Sequence, residues 1–209
     1  MQWTVLIPAK ALPQAKSRLA TSLDAVSHAD LVHAIRADTI AAARAAADVA
    51  RVILVVNRVG AVEARGTLLF VQTAPGLNAA LTEAAVHVRK CWPDSGTAAM
   101  VGDLPALRSA DLGDALARAA HHDRSYVADS QGLGTTLLTA VPGHPLRPLF
   151  GPGSAARHGI DARLLAGAPG LRQDVDTAAD LAMALTLGVG PATAAVTSRR
   201  HHPVHLDQG

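Results

Sequence analysis

The sequence predicts a single α/β domain built on a mixed, mostly parallel sheet flanked by helices. Three observations carry this. Short aliphatic and β-branched runs alternate with stretches of helical periodicity. The first of those runs is short and apolar apart from Thr4, as a strand covered on both faces is. At 209 residues the chain has the length of one domain. It is 49% hydrophobic but only 2% aromatic, so its core must be made of Ala, Val and Leu.

The elements follow in order. Residues 3–7 (WTVLI) form a first short strand. Residues 30–47 form a helix, with Leu31, Ile35, Thr39 and Ala42 at helical spacing. Residues 51–57 are a β-branched second strand, and residues 68–71 a third. A helix over 77–89 leads to a fourth strand over 98–101, which ends at Gly102-Asp103. A helix over 111–121 precedes a fifth strand over 125–128. Residues 135–140 form a sixth strand with no room for a helix before it, which predicts an antiparallel excursion. The last helix, over 176–187, is capped by Asp176 or Thr177. The domain therefore spans 1–187. The Gly-, Pro-, Ser-, Arg- and His-containing segment 188–209 lacks periodicity and reads as a flexible or loosely docked tail.

Bulk chemistry excludes several classes. A formal net charge of +2, with no basic run and no interleaved aromatics, argues against nucleic-acid binding. The single cysteine, Cys91, rules out an internal disulfide and a cysteine-based zinc site. No segment has the roughly 20 unbroken apolar residues of a membrane span. The N-terminus enters a strand directly, without a secretory pattern. The expectation is a cytoplasmic protein without membrane partners. The adjacent pairs His121-His122 and His201-His202 do not share a helix face and read as surface. Ser154 lacks a nucleophile-elbow setting and Cys91 an evident base.

Several constellations point to phosphate chemistry. The chain has three lysines, and two of them, Lys10 and Lys16, stand with Arg18 just after the first strand. Ligands in open α/β sheets bind at the carboxyl ends of strands, so this cationic loop suits a triphosphate. Asp103, after Gly102 at the end of the fourth strand, points into the same crevice and suits a magnesium ion shared with phosphate. Gly102 allows close backbone approach. In Asp174-Val175-Asp176, alternate residues of an extended segment face one way, so both carboxylates can meet one cation. Capping of the following helix by Asp176 is the competing reading. Gly76 and Asn78 open a helix, where they can offer amides to a base or phosphate or simply cap it. Thr135 and Thr136 follow a glycine-rich turn and offer hydroxyls to an anion. Gly151 relaxes the backbone before a short helix starting near Ser154, whose N-terminus is a candidate anion site.

Over residues 5–180 these segments resemble the phosphoenolpyruvate and 2-phospho-L-lactate guanylyltransferases of coenzyme F-420 biosynthesis. The resemblance rests on Ile7-Pro8-Ala9-Lys10, Gly76-Leu77-Asn78, Gly102-Asp103-Leu104-Pro105, Asp174-Val175-Asp176-Thr177 and Phe150-Gly151-Pro152-Gly153-Ser154. The chain departs from the family's frequent Gly-Thr-Gly-Thr pattern by placing Leu133 at the first threonine. The resemblance implies a nucleotide-diphospho-sugar transferase-like fold that transfers GMP from GTP to a phosphorylated three-carbon acid. Phosphoenolpyruvate is favoured, with 2-phospho-L-lactate as the alternative acceptor. It implies magnesium, or manganese, held by Asp103, Asp174 and Asp176. Lys10, Lys16, Arg18 and Asp103 are then the candidate catalytic residues. Lys10, Lys16, Arg18, Gly76, Asn78 and Gly102 take the nucleotide, with Asn78 matching a guanine edge. Thr135, Thr136, Gly151 and Ser154 hold the acceptor. Hand-over of the product to the next enzyme of the pathway is a further expectation.

Three rivals are weighed against this. Sugar-1-phosphate and molybdopterin nucleotidyltransferases usually open with a Gly-Gly loop, where this chain has Pro8-Ala9-Lys10. A metal-dependent glycosyltransferase normally carries its Asp-x-Asp after a mid-chain strand. A catalytically silent nucleotide-binding protein of the same fold would be expected to lose one of the three aspartates, and all three are present.

Overall fold

The computed structural model describes residues 1–9, 25–58 and 66–198. Its strands are β1 (Trp3–Pro8), β2 (Val49–Val56), β3 (Leu68–Val71), β4 (Gly96–Met100), β5 (Arg124–Ala128), β6 (Thr135–Ala140) and β7 (Arg163–Leu164). Its helices are α1 (Ala25–Ala45), α2 (Leu77–Cys91), α3 (Ser109–Ala119), α4 (Ser154–His158), α5 (Pro169–Arg172), α6 (Ala178–Leu187) and α7 (Pro191–Ser198). The strands form one sheet in the order β3-β2-β1-β4-β6-β5-β7.

β1 is parallel to β2 and β4, β2 to β3, and β5 to β7. β6 alone runs antiparallel, to both β4 and β5. The antiparallel excursion predicted over 135–140 is therefore present. The six residues between β5 and β6 suffice for a hairpin and not for a helical crossover.

The sheet separates two aliphatic layers, and strand alternation assigns each residue to one of them. Val5, Ile7, Leu54, Ala98, Met100 and Leu137 pack with Leu112 and Leu116 of α3. Leu6, Ile53, Ala99 and Leu138 pack on the other face with Leu81, Ala84 and Val88 of α2, together with Tyr126 and Phe150. A third, smaller cluster joins Leu31 and Ile35 of α1 to Ala106, Val175 and Ala184.

Several expectations about helices change. The helix expected over 30–47 is α1, which starts earlier, at Ala25, and ends at Ala45. The 176–187 helix begins at Ala178, because Thr177 is its N-cap in a reciprocal capping box with Asp180. The start of the expected tail forms α7, which lies on α1. Both carboxylate oxygens of the buried Asp38 accept backbone N–H groups there, from Ala192 at 3.0 Å and Thr193 at 2.7 Å. Gly190 N–H also bonds the Pro105 carbonyl. The cap is supplied 154 residues away in sequence, so local periodicity carries no trace of it. No single helix of the described residues is long and apolar enough to cross a membrane.

Candidate active site

The strand order places a topological switch between β1 and β4. The chain leaves β1 toward β2 on one side and returns to β4 on the other. Their carboxyl ends approach closely. A Cβ on Gly102 would lie 3.1 Å from Ile7 Cγ2 and 3.4 Å from the Pro8 carbonyl, so a glycine fits this junction. Asp103 follows it directly. Its loop is pinned to α1 by the buried Thr39, whose hydroxyl accepts Leu104 N–H at 3.0 Å and donates to the Ile35 carbonyl. Arg36, one turn earlier and 8% exposed, lies within electrostatic reach of Asp103. Burial lowers the Arg36 pKa and the Asp103 charge opposes that shift.

The second carboxylate segment is tied to the first by Val175 N–H, which bonds the Asp103 carbonyl at 3.1 Å. Arg172 ties it to the end of β5. Its guanidinium donates to the carbonyls of Ala128 and Asp129, while its own carbonyl accepts Ser130 N–H. Asp129 then shapes the following loop by accepting Leu133 N–H at 2.9 Å and Gly134 N–H at 2.7 Å. Because Thr177 is the cap, Asp176 does not serve that role, and the competing reading of this residue falls away.

The consequence is an accumulation of negative charge. Burial, and then the charges of Asp103, Asp176 and Asp129, raise the Asp174 pKa from 3.8 to about 7. Such a site gains by holding a cation in place of a proton. The donor oxygens suit magnesium or manganese in their chemistry. Among the described residues, however, no three such side chains already stand at the positions of a metal-holding group.

On the nucleotide side, Lys10, Lys16 and Arg18 lie outside the described residues. A cavity of about 200 Å³ opens beside the carboxyl ends of β1 and β2. It is lined by Pro8, Ala9, Val55, Asn57, Gln72, Gly76, Leu77 and Ala80. Gly76 adopts φ of 92°, a left-handed-side value that favours glycine, and a Cβ there would meet nothing within 4 Å. Glu83 fixes the loop leading to it by accepting from Thr73 N–H, Thr73 Oγ1 and Ala74 N–H.

Asn78 departs from expectation. It does not line this cavity; its Nδ2 donates to the Phe150 carbonyl at 3.0 Å and its Oδ1 accepts Phe150 N–H at 2.8 Å. Its amide clamps the loop before α4. The amides at the cavity wall belong to Asn57 and Gln72.

On the acceptor side, Thr135 and Thr136 separate. Pairing of β5 with β6 shifts register between Val127 and Ala128, so Ala128 pairs with Thr135 and Thr136 is the extra residue. Thr135 Oγ1 lies 2.8 Å from His158 Nδ1. The Thr136 hydroxyl reaches only the Val127 carbonyl, at 3.5 Å, and does not join Thr135. Gly151 and Gly153, with φ of 122° and 70°, turn the chain into α4. The expected short helix does begin at Ser154. Its first amides are already used, since Ser154 N–H bonds the Gly151 carbonyl and Ala155 N–H the Leu133 carbonyl. The anion-binding role expected of this N-terminus is reduced accordingly. The Ser154 residue itself is buried. Leu133 contributes its backbone and leaves its side chain 62% exposed.

Sequence reasoning passed over Asp129, Arg172, His158, Arg36 and Thr39. Asp129 stands at a strand end as Asp103 does, and the same positional argument finds it. The others are interior residues of helices or loops whose partners are set by packing alone.

The seven-stranded mixed sheet, with its crevice at the β1–β4 switch point, is an α/β fold of the nucleotide-diphospho-sugar transferase-like type. A solved Desulfovibrio desulfuricans protein described as a nucleotide-diphospho-sugar transferase superposes with a TM-score of 0.72 at 14% identity, over 96% of both chains. A Mycobacterium tuberculosis protein solved with manganese gives 0.58 at 23% identity, over 89% of this chain and 98% of that one. These likenesses concern the fold. A family model, guanylyl transferase CofC like, matches residues 3–166. The Streptomyces avermitilis protein named phosphoenolpyruvate guanylyltransferase is 46% identical over 208 residues, covering 95% of each chain. A protein of the same name from Streptomyces coelicolor is 47% identical over 207 residues, covering 95% of this chain and 97% of that one. The chain belongs to the CofC-like guanylyl transferase family.

Proposed function

We propose that the protein transfers GMP from GTP to phosphoenolpyruvate, releasing pyrophosphate and enolpyruvyl-diphospho-5′-guanosine for coenzyme F-420 biosynthesis. The observation that carries this reading is near-half identity, over almost the whole length, to proteins named phosphoenolpyruvate guanylyltransferase. The carboxylate cluster around Asp174 supports it, because it suits a cation between crowded phosphates.

A phosphate oxygen of the acceptor attacks the α-phosphorus of GTP. The bond from that phosphorus to the α–β bridging oxygen breaks, and pyrophosphate leaves with the electron pair. The acceptor phosphate is already ionised, so the chain need not supply a general base. Its task is positioning and charge neutralisation. Asp103, Asp174 and Asp176 are the residues that would hold a divalent ion. When bound, magnesium or manganese would screen the phosphate charges and favour departure of pyrophosphate. Manganese in the Mycobacterium tuberculosis fold neighbour agrees with this. Lys10, Lys16 and Arg18 neutralise the β- and γ-phosphates. Gly76 and Gly102 let the backbone approach the nucleotide, and the Asn57–Gln72 cavity is where its base fits. Thr135, Gly151 and Ser154 hold the phosphorylated acid.

The test is an acceptor panel. Purified protein with GTP and magnesium is given phosphoenolpyruvate, 2-phospho-L-lactate, 3-phosphoglycerate or a hexose-1-phosphate. Pyrophosphate release and product mass are read, with the next pathway enzyme as a trap for the product. Phosphoenolpyruvate should give the largest signal. A strong response to the hexose-1-phosphate with neither three-carbon acid turned over would overturn the reading.

A further inference from the structure

His158 carries more information than a buried histidine in a core. Its Nε2 lies 2.9 Å from Leu149 N–H, and its Nδ1 lies 2.8 Å from Thr135 Oγ1. A backbone amide can only donate, so Nε2 must hold a lone pair. That excludes the imidazolium, which would set one N–H against another. It also excludes the neutral tautomer protonated on Nε2. The remaining form carries its proton on Nδ1 and gives it to Thr135 Oγ1.

The Thr135 oxygen therefore accepts, and the hydroxyl must donate its own proton elsewhere. No other hydrogen bond of that hydroxyl exists among the described residues. We infer that His158 is a positioning residue for the acceptor: it fixes the chain Leu149 N–H to His158 to Thr135, so that one lone pair of the Thr135 oxygen is taken and its hydroxyl proton is left to bind an anionic oxygen of the phosphorylated acid. This rests on the acceptor reading proposed above. A carboxylate or ionised phosphate oxygen only accepts, so it suits such a hydroxyl proton.

Other features hold the arrangement. The β6 bulge turns Thr135 toward α4. Phe150 stands edge-on to the His158 ring at 5.3 Å, and Tyr126 flanks it at 6.2 Å. Burial and the Arg157 charge lower the ring's pKa to about 4, against the opposing charge of Asp161, so the ring is neutral at neutral pH. The same histidine anchors Leu149 while Asn78 anchors Phe150, so the loop before Ser154 and the Thr135 hydroxyl are placed together.

Two substitutions separate the arms of the ring. The His158→Asn side chain can keep a donor near the Nδ1 position and loses the Leu149 arm. His158→Gln can keep an acceptor near the Nε2 position and loses the Thr135 arm. His158→Gln should raise the KM for phosphoenolpyruvate about tenfold or more, with the KM for GTP little changed. His158→Asn should recover most of that loss. Thr135→Val should match His158→Gln, and the double variant should be no worse than either. Equal acceptor KM values in His158→Asn and His158→Gln, or a change confined to the GTP KM, would overturn the inference. Ring nitrogen NMR of the unmodified protein gives a readout independent of turnover: Nδ1 protonated and Nε2 bare at neutral pH. Finding Nε2–H or the imidazolium there would also overturn it. If the unmodified protein ignores phosphoenolpyruvate but uses another acid, the acceptor reading fails and the KM comparison is made with that acid. If no acid is used, the NMR result alone decides the direction of the chain.

Discussion

Among the described residues, Asp174 and His158 have the protonation equilibria that the fold moves furthest, and they tilt stability in opposite senses. Asp174 has its folded pKa raised to about 7 from 3.8, so the folded state holds a proton that the unfolded state has lost. Its contribution falls as pH rises from about 4 to about 7. Asp174→Asn removes that repulsion. In metal-free protein at pH 8 it should raise stability on the order of 1–2 kcal/mol, read as a higher melting temperature. Turnover should fall on the order of a hundredfold. An unchanged melting temperature would contradict the crowded-carboxylate account. His158 has its folded pKa lowered to about 4 from 6.5, so the unfolded state binds the extra proton between those values. Its contribution is complete above about pH 6.5 and is lost as pH falls toward 4. The ring is 1% exposed, so the loss should reach about 3 kcal/mol. Urea titrations of the unmodified protein and His158→Gln from pH 7.5 to 4.5 isolate this part. The variant should lack it.

At the scale of elements, the site is set by what fastens the loops at strand ends. The Asp103 loop is held at three points: Thr39 of α1, the backbone of Val175, and Gly190 N–H on the Pro105 carbonyl. The last of these links α7 to the crevice, since Asp38 caps that helix immediately afterwards. Asp38→Ala should cost about 1–2 kcal/mol, because it removes a cap and leaves the Thr193 N–H buried without its partner. Denaturant unfolding measures this. Removal of residues 188–209 should cost at least as much. If the truncated chain were as stable as the full one, α7 would be a passive appendage.

Across the whole molecule, the strand order decides where the crevice opens. The crevice forms because β4 crosses to the far side of β1, and Gly102 lets their ends close to this distance without displacing Ile7. Gly102→Ala should therefore separate stability from activity. The added methyl shifts Ile7 and the β1 end by a few tenths of an ångström, for about 1–2 kcal/mol. Turnover should fall more than that loss of stability explains, because Asp103 would move relative to the phosphates it is proposed to serve. Parallel melting curves and pyrophosphate-release rates test this. A variant of normal activity would remove the junction from the argument.

Much of this architecture can be read along the chain. Short, largely apolar runs mark buried strands wherever they fall, so β1, β2 and β4 are legible without their neighbours. The short 129–134 connection reveals that β6 must turn back. Asp103 is legible because a carboxylate after a central strand faces the crevice in any open α/β sheet. The partners of the remaining side chains are not written locally. Asn78 is a plausible guanine reader in isolation, and only the arrival of Phe150, 72 residues on, commits its amide to a loop. Asp38 looks like a surface residue of α1 until α7 returns to it 154 residues later. Thr135 and Thr136 are chemically alike, and a one-residue shift in β5–β6 pairing gives His158 to the first alone. Hydrogen-bonding capacity belongs to a residue, but which partner fills it depends on which distant segments the core brings into contact.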